Sequence, residues 1–211
     1  MNLTVSRLTD PNSQDFDALI AIYSAAHPAS ELKPVDLLVA MARKPEYLFL
    51  TASLDRAIVG FAILCMFPQS NAAHLEYMAV AEPWRGQGIG RSLFRQIAEM
   101  REISTRSLIV EVDSDKLPSP SQAGNTRRKL FYRSLGCKEV AGLHYLMPPV
   151  SSSSPPPIDL MVYRNPLADK IAKAQLREWL QAIYVNIYSV PASDLRIDRM
   201  LDQLPQDIDL M

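Results

Sequence analysis

The sequence predicts a mixed α and β domain, and three observations carry that expectation. Segments of period-two and period-3.6 hydrophobicity follow one another as strand, two helices, three strands, helix, strand, helix and two strands. The three consecutive strands between Tyr47 and Val80 form an uninterrupted meander, which calls for antiparallel pairing. A doubly wound nucleotide-binding fold would alternate strand and helix more regularly.

Leu3 to Arg7 alternates and reads as a first strand. Asp15 to Ala26 places Phe16, Leu19, Ile20 and Tyr23 at helical spacing. Pro34 opens a second helix, with Val35, Leu37, Leu38 and Met41 on its expected buried side, closing near Pro45. Tyr47 to Ala52 and Ala57 to Phe67 are apolar runs joined by Leu54-Asp55-Arg56, a hairpin turn. Ala73 to Val80 is the next strand. A glycine-rich turn follows, then a helix with Ile89, Leu93, Ile97 and Met100 on one stripe. Ser107 to Asp113 is again β-rich, and the Pro, Ser and Asp content of the stretch after it makes a loop.

Asn125 or Thr126 is expected to cap a helix running through Leu135, with Gly136 at its left-handed end. Lys138 to Met147 and Ile158 to Tyr163 read as two strands joined by an exposed Ser/Pro loop over residues 148–157. Residues 1–164 are thus expected to form one domain, and 165–211 an extension. In the extension Leu176, Trp179, Leu180, Ile183, Tyr184, Ile187 and Tyr188 follow the spacing of an amphipathic helix. Its apolar stripe is expected to pack on its own domain; a homodimer interface or a lid is the alternative.

A chain of 211 residues, 48% hydrophobic and 21% charged, holds enough apolar surface for a full core. Its 22 basic and 23 acidic residues give no net charge to draw nucleic acid or anionic lipid, so neither is an expected partner. The first ten residues lack a signal-peptide pattern, and no apolar run is long enough to span a bilayer. Cys65 and Cys137 lie in apolar company with no metal-knuckle spacing, so both read as buried thiols, no metal is expected, and the default compartment is cytoplasmic.

Three of the seven glycines fall at 86, 88 and 90, where a strand ends and a helix begins. First-turn N–H groups there have no internal partner, and the helix dipole adds partial positive charge. Glycine lets the backbone approach an anion closely, while Arg85 and Arg91 bracket the turn with full charges. Together these make a diphosphate cradle. A P-loop would end in Gly-Lys-Ser/Thr, but this turn ends Gly90-Arg91-Ser92. The dinucleotide fingerprint has GxGxxG spacing; here it is GxGxG.

The stretch Glu76-Tyr-Met-Ala-Val80-Ala-Glu-Pro-Trp-Arg85-Gly86-Gln87-Gly88-Ile89-Gly90 resembles the acyl-CoA-binding motif of the GNAT superfamily of N-acetyltransferases, Arg/Gln-x-x-Gly-x-Gly/Ala after a strand. A second stretch, Asn125-x-x-Arg128-x-x-Phe131-Tyr132-x-x-x-Gly136-Cys137, is similar to that family's Asn-x-x-Ala-x-x-Leu-Tyr-x-x-x-Gly-Phe. The resemblance covers about residues 3 to 164 and implies the GNAT fold, a mixed and mostly antiparallel central sheet flanked by helices. It leaves 165–211 uncovered.

The resemblance also implies a chemistry: an amine attacks the thioester of acetyl-CoA directly while both substrates are bound. Backbone groups of Met78, Ala79 and Val80 would hold the pantetheine and acetyl carbonyl on a bulged strand. Arg85, Gly86, Gln87, Gly88, Ile89, Gly90 and Arg91 would grip the pyrophosphate. Tyr132 matches the family's general acid, or simply packs in the core. Asn125 matches a residue that contacts the cofactor or caps the helix.

For the base, Glu111 matches a glutamate of the ribosomal-protein alanine acetyltransferases, and its apolar strand would raise its pKa. Glu76, just before the expected bulge, is the rival, and His74 a third option. The chain departs from the family by extra residues between Asp113 and Asn125, which unsettles the register of Glu111 against Tyr132. The acceptor is expected to be a small-molecule amine or amino acid. A protein lysine or N-terminus is the alternative within the class, and an acyl-CoA sensor without turnover the alternative outside it.

Overall fold

A computed structural model describes residues 3–28, 32–149, 155–164 and 168–211. The chain divides into two compact units, each discontinuous in sequence: Met1–Met66 with Leu75–Ile103, and Phe67–His74 with Ser104–Met211.

In the first unit, β1 (Thr4–Leu8) pairs antiparallel with β2 (Tyr47–Leu54), and β2 with β3 (Ala57–Phe67). Asp55 and Arg56 both have positive φ, 47° and 69°, so two residues close the hairpin in the sense that suits strand twist. Helix α1 (Gln14–Ala26) starts where the Ser13 hydroxyl accepts from Phe16 N–H, and buries Phe16, Leu19, Ile22 and Tyr23. Helix α2 (Val35–Ala42) buries Leu38 and Met41 but leaves Val35 and Leu37 exposed, a correction to the expected four-residue stripe. Two turns present only one narrow face, and Leu37 lies about 100° from Leu38 around the axis. Strand β4 (Ala72–Val80) leads to α3 (Ile89–Glu99), which buries Ile89, Leu93, Phe94, Ile97 and Ala98.

In the second unit, Ala72–His74 at the start of β4 pair parallel with β5 (Ser107–Asp113). Strand β5 pairs antiparallel with β7 (Ile158–Tyr163), which also takes β6 (Lys138–Glu139). The mixed, mostly antiparallel sheet with flanking helices is therefore present. The expected strand from Lys138 to Met147 is not continuous: after β6 only Val140 and Tyr145 make isolated bridges. Gly142, at φ +72°, breaks the extended run, and a Cβ there would come within 3.3 Å of Leu204. Of the loop expected at 148–157, residues 150–154 lie outside the described residues. Cys65 and Cys137 are free and buried, and burial pushes each thiol up to about 12.

The C-terminal segment holds more than the amphipathic helix read from the sequence. Strand β8 (Lys170–Ala172) pairs antiparallel with β9 (Asp207–Asp209), and α5 (Lys173–Asn186) is followed by α6 (Leu195–Leu201). The α5 stripe is buried within this unit, with Trp179 donating its indole N–H to Ser70 O at 3.3 Å. Met211 and Glu139 exchange backbone hydrogen bonds at 2.9 and 2.7 Å. No helix among the described residues is long and apolar enough to cross a membrane.

Helix α4 (Gln122–Arg133) carries a buried cation. Lys129 is 3% exposed, and its Nζ lies 3.0 Å from Asp115, 2.9 Å from Glu139 and 2.6 Å from Asp159. Burial pushes these carboxyls up, but the bonds from Lys129, and from Lys116 to Glu139 and Asp159, outweigh it and hold all three below their ordinary range. Removing one partner of a buried charge cluster costs about 3–5 kcal/mol. Lys129→Met should therefore lower Tm by roughly 6–20 °C in a thermal melt at neutral pH. Because the folded carboxyl pKa values are depressed, this stability is present above the unfolded carboxyl pKa of about 4 and is lost as pH falls through the folded values. The gap between wild type and variant should narrow accordingly below about pH 4. Lys116, 55% exposed, should matter far less, since exposed pairs contribute about 0–1 kcal/mol.

Candidate active site

In the first unit the glycine turn is fixed from both sides. Ile89 packs with Leu54 and Val59, joined by partly buried Leu3, Val80 and Trp84. Arg85 Nε donates to Val80 O at 3.0 Å, and Gln87 Nε2 to Pro83 O at 3.1 Å, so both side chains brace the turn at one end. Gly86 and Gly88 sit at φ +77° and +80°, in the left-handed region that disfavours a Cβ. The space where each Cβ would stand is open, with nothing within 4 Å among the described residues. The first bond of the α3 ladder runs from Ser92 N–H to Gly88 O, so the Ile89 and Gly90 amides precede it. Gly90 lies in the first turn of the helix. An open, left-handed turn at a helix N-terminus fits an oxyanion group such as a pyrophosphate.

Met78, Ala79 and Val80 are half-buried along the end of β4, and Ala81 N–H donates to Val59 O at 2.9 Å. Gly60 on β3 makes this end of the strand possible: a Cβ there would lie 2.9 Å from the Ala79 carbonyl oxygen. Backbone cannot swing aside as a flexible side chain can, so β4 itself must shift. Gly60→Val should cost about 1–3 kcal/mol by overpacking. It should also raise KM for the acetyl-CoA that the sequence resemblance implies, measured by initial rates, because the displaced strand leads directly into the turn. Gly60 was missed from the sequence, although a lone glycine in a β-rich run is a signal of close backbone approach.

Glu76 lies on the same strand with its side chain 5% exposed. Its Oε1 is ion-paired with Lys33 Nζ; its Oε2 is buried with no hydrogen-bond partner among the described residues. Lys33 is held at its root, its backbone N–H donating to Tyr23 Oη at 2.6 Å. Tyr77 packs edge-on against Tyr23, with ring centroids 5.0 Å apart. Nothing in the sequence spacing singled out Lys33.

The second unit carries the remaining candidates. Glu111, 11% exposed, accepts from Tyr188 Oη at 3.0 and 2.9 Å on its two oxygens. His74 Nε2 stands 3.0 Å from Oε2, although neither ring nitrogen is aligned for a hydrogen bond. The expectation that apolar surroundings raise the Glu111 pKa is corrected. Burial does push it up, but His74, Tyr145 and Tyr188 favour the carboxylate more, and it lies below its ordinary range. Tyr188, just beyond α5, was read from the sequence only as part of an apolar stripe.

Tyr132 is 7% exposed on α4, and burial pushes its phenol well above the usual range. Phe131 meets its ring edge-on at 5.2 Å. Asn125 does not cap α4: the helix starts at Gln122 after Ser121, and Asn125 is buried one turn in. Its Nδ2 donates to Ser114 O at 3.2 Å and ties the helix to the chain leaving β5. The loop expected to reach Asn125 instead winds into helix three residues earlier. Among the described residues no group of three or more His, Cys, Asp and Glu side chains is placed to hold a metal ion.

A sequence profile described as the acetyltransferase (GNAT) family matches residues 16–136. A solved structure from Bacteroides thetaiotaomicron, described as a GNAT-family acetyltransferase, superposes with a TM-score of 0.72 at 18% identity, covering 89% of this chain and 99% of that one. The ribosomal-protein-S18-alanine N-acetyltransferase of Escherichia coli superposes at 0.54 with 22% identity, covering 76% and 91%. A GNAT-family acetyltransferase from Elizabethkingia anophelis, solved with acetyl-CoA bound, superposes at 0.51 with 16% identity, covering 77% and 98%. No curated protein sequence matches the chain significantly.

Proposed function

The chain belongs to the GNAT acetyltransferase family, and from that premise we propose that it transfers the acetyl group of acetyl-CoA to the primary amine of a small molecule or amino acid. It is an acyltransferase with acetyl-CoA as co-substrate. The observation that carries the reading is the turn at 86–88. Two left-handed glycines leave open space before the N-terminus of α3, the arrangement that a diphosphate needs.

In this reading the amides at the start of α3, with Arg85 and Arg91, hold the pyrophosphate, and Asn125 is a further cofactor contact. Backbone groups of Met78 to Val80 orient the acetyl carbonyl. Glu76 takes the proton that the attacking ammonium must lose, on its Oε2, which has no hydrogen-bond partner among the described residues. Glu111 is the weaker candidate, since its oxygens are engaged by Tyr188 and approached by His74. Tyr132 supplies a proton to the departing thiolate; its raised pKa keeps the phenol protonated at neutral pH, as a donor requires. Residues 1–164 form the catalytic domain in this reading and 165–211 an extension packed on it. Free, buried Cys65 and Cys137 accord with a cytoplasmic setting.

Free thiol release from acetyl-CoA across a panel of primary amines tests the proposal. Release that depends on a small amine or amino acid is the expected result. Release only with lysine-bearing peptides or protein N-termini would overturn the acceptor class, and binding without release from any amine would overturn the assigned chemistry.

A further inference from the structure

Glu76 already has an amine on it. Lys33 Nζ is paired with Oε1, the carboxylate is 5% exposed, and the lysine side chain is 23% exposed. The root of that lysine is fixed by the bond from its backbone N–H to Tyr23 Oη, and Tyr23 is itself 1% exposed. Glu76 and Met78 are two residues apart on β4, so they share a face and stand roughly 7 Å apart. Among the described residues the other paired lysines, Lys116, Lys129, Lys138 and Lys170, pair with carboxylates of the second unit.

We propose that Lys33 is a self-acetylation site, its Nζ receiving the acetyl group of bound acetyl-CoA when no external amine is present. The inference rests on the reading that Glu76 is the base and that Met78 to Val80 orient the acetyl carbonyl. Glu76 takes one proton from the Lys33 ammonium and passes it to solvent. The freed nitrogen lone pair forms a C–N bond to the carbonyl carbon, and the C–S bond breaks with its electron pair on sulfur. The nitrogen's second proton ends on that sulfur as free coenzyme A thiol, and the third stays on the new amide. Lys33 loses its positive charge, so the modified side chain no longer pairs with Glu76. The ion pair thus marks the position an acceptor's ammonium takes, occupied by the chain's own amine.

The experiment is incubation of the full chain with acetyl-CoA and no added amine, read by intact mass and by peptide mapping. Expected is one acetyl group at Lys33, gained at least about a hundredfold faster than at exposed Lys44, because a positioned amine reacts at a high effective concentration. The modification should be lost in Glu76→Gln and in Gly88→Asp, the second of which leaves Lys33 and Glu76 in place. Equal labelling of Lys33 and Lys44, or labelling of Lys33 that persists in Gly88→Asp, would reduce the reaction to ordinary chemical acetylation and overturn the inference. Amine-dependent turnover with Lys33 unmodified would overturn the inference and leave the proposed function standing. Absence of acetyl-CoA binding would remove both.

Discussion

Gly88→Asp should abolish measurable acetyl-CoA binding at micromolar concentrations while leaving the protein folded. Gly88 sits at φ +80°, and Asp is among the residues that tolerate this region best, so the backbone strain is about 1–2 kcal/mol at most. Among the described residues nothing lies within 4 Å of the new Cβ, so no packed neighbour there is displaced. A carboxylate there faces the space proposed for the pyrophosphate. Two unit charges about 4 Å apart at an effective dielectric of about 20 repel by about 4 kcal/mol, roughly a thousandfold in Kd.

Gly88→Asn separates charge from bulk, having the same shape and a similar tolerance of positive φ. It should weaken binding by about tenfold through lost backbone approach alone, a single charge-assisted hydrogen bond being worth about 1.5–3 kcal/mol. The difference between the two variants should shrink as salt is raised, since exposed charges are screened. Titration calorimetry with acetyl-CoA, beside a thermal melt, checks both. Unchanged affinity in a folded Gly88→Asp protein would remove this turn as the phosphate site.

Much of the fold was legible because its signals are local. The β5 and β7 bounds were read from short, mostly apolar runs, and α1 and α3 from apolar stripes. What escaped depends on partners distant in sequence. Ala172 and Asp207 form a strand pair only because they meet, and three-residue strands leave no periodic trace. Lys138 to Met147 looked like a strand, but Gly142 turns the chain left-handed. The left-handed glycine turn at the start of α3 was legible because backbone conformation follows from residue type there. Electrostatic environment was not. The apolar neighbours of Glu111 in sequence suggested a raised pKa, while His74, Tyr145 and Tyr188 come from three other segments and reverse it. Lys33, 43 residues from Glu76, carried no sequence signal of its pairing.

Glu76→Gln and Glu111→Gln should behave differently, and the contrast decides which carboxylate is the base. Glu76 retains a buried oxygen with no partner among the described residues, so it can accept a proton from an ammonium without first breaking a bond. Glu76→Gln keeps the shape and removes the basicity, and kcat should fall by about 10²–10⁴-fold with acetyl-CoA affinity nearly unchanged. Glu111 accepts from Tyr188 on both oxygens and lies beside His74, so taking a proton would mean giving up interactions that favour its charged form. A carboxylate with a depressed pKa is also the poorer base. Its contribution is to stability instead, present above the ordinary carboxyl pKa of about 4.3 and lost as pH falls through its lower folded value. Glu111→Gln should therefore cost about 1–3 kcal/mol at neutral pH and lose part of that deficit in acid, with kcat changed far less than in Glu76→Gln. Steady-state rates and melts of the two variants across pH 3–8 test this. A collapse of kcat in Glu111→Gln with Glu76→Gln still active would move the base to β5 and free Lys33 and Glu76 of any catalytic part.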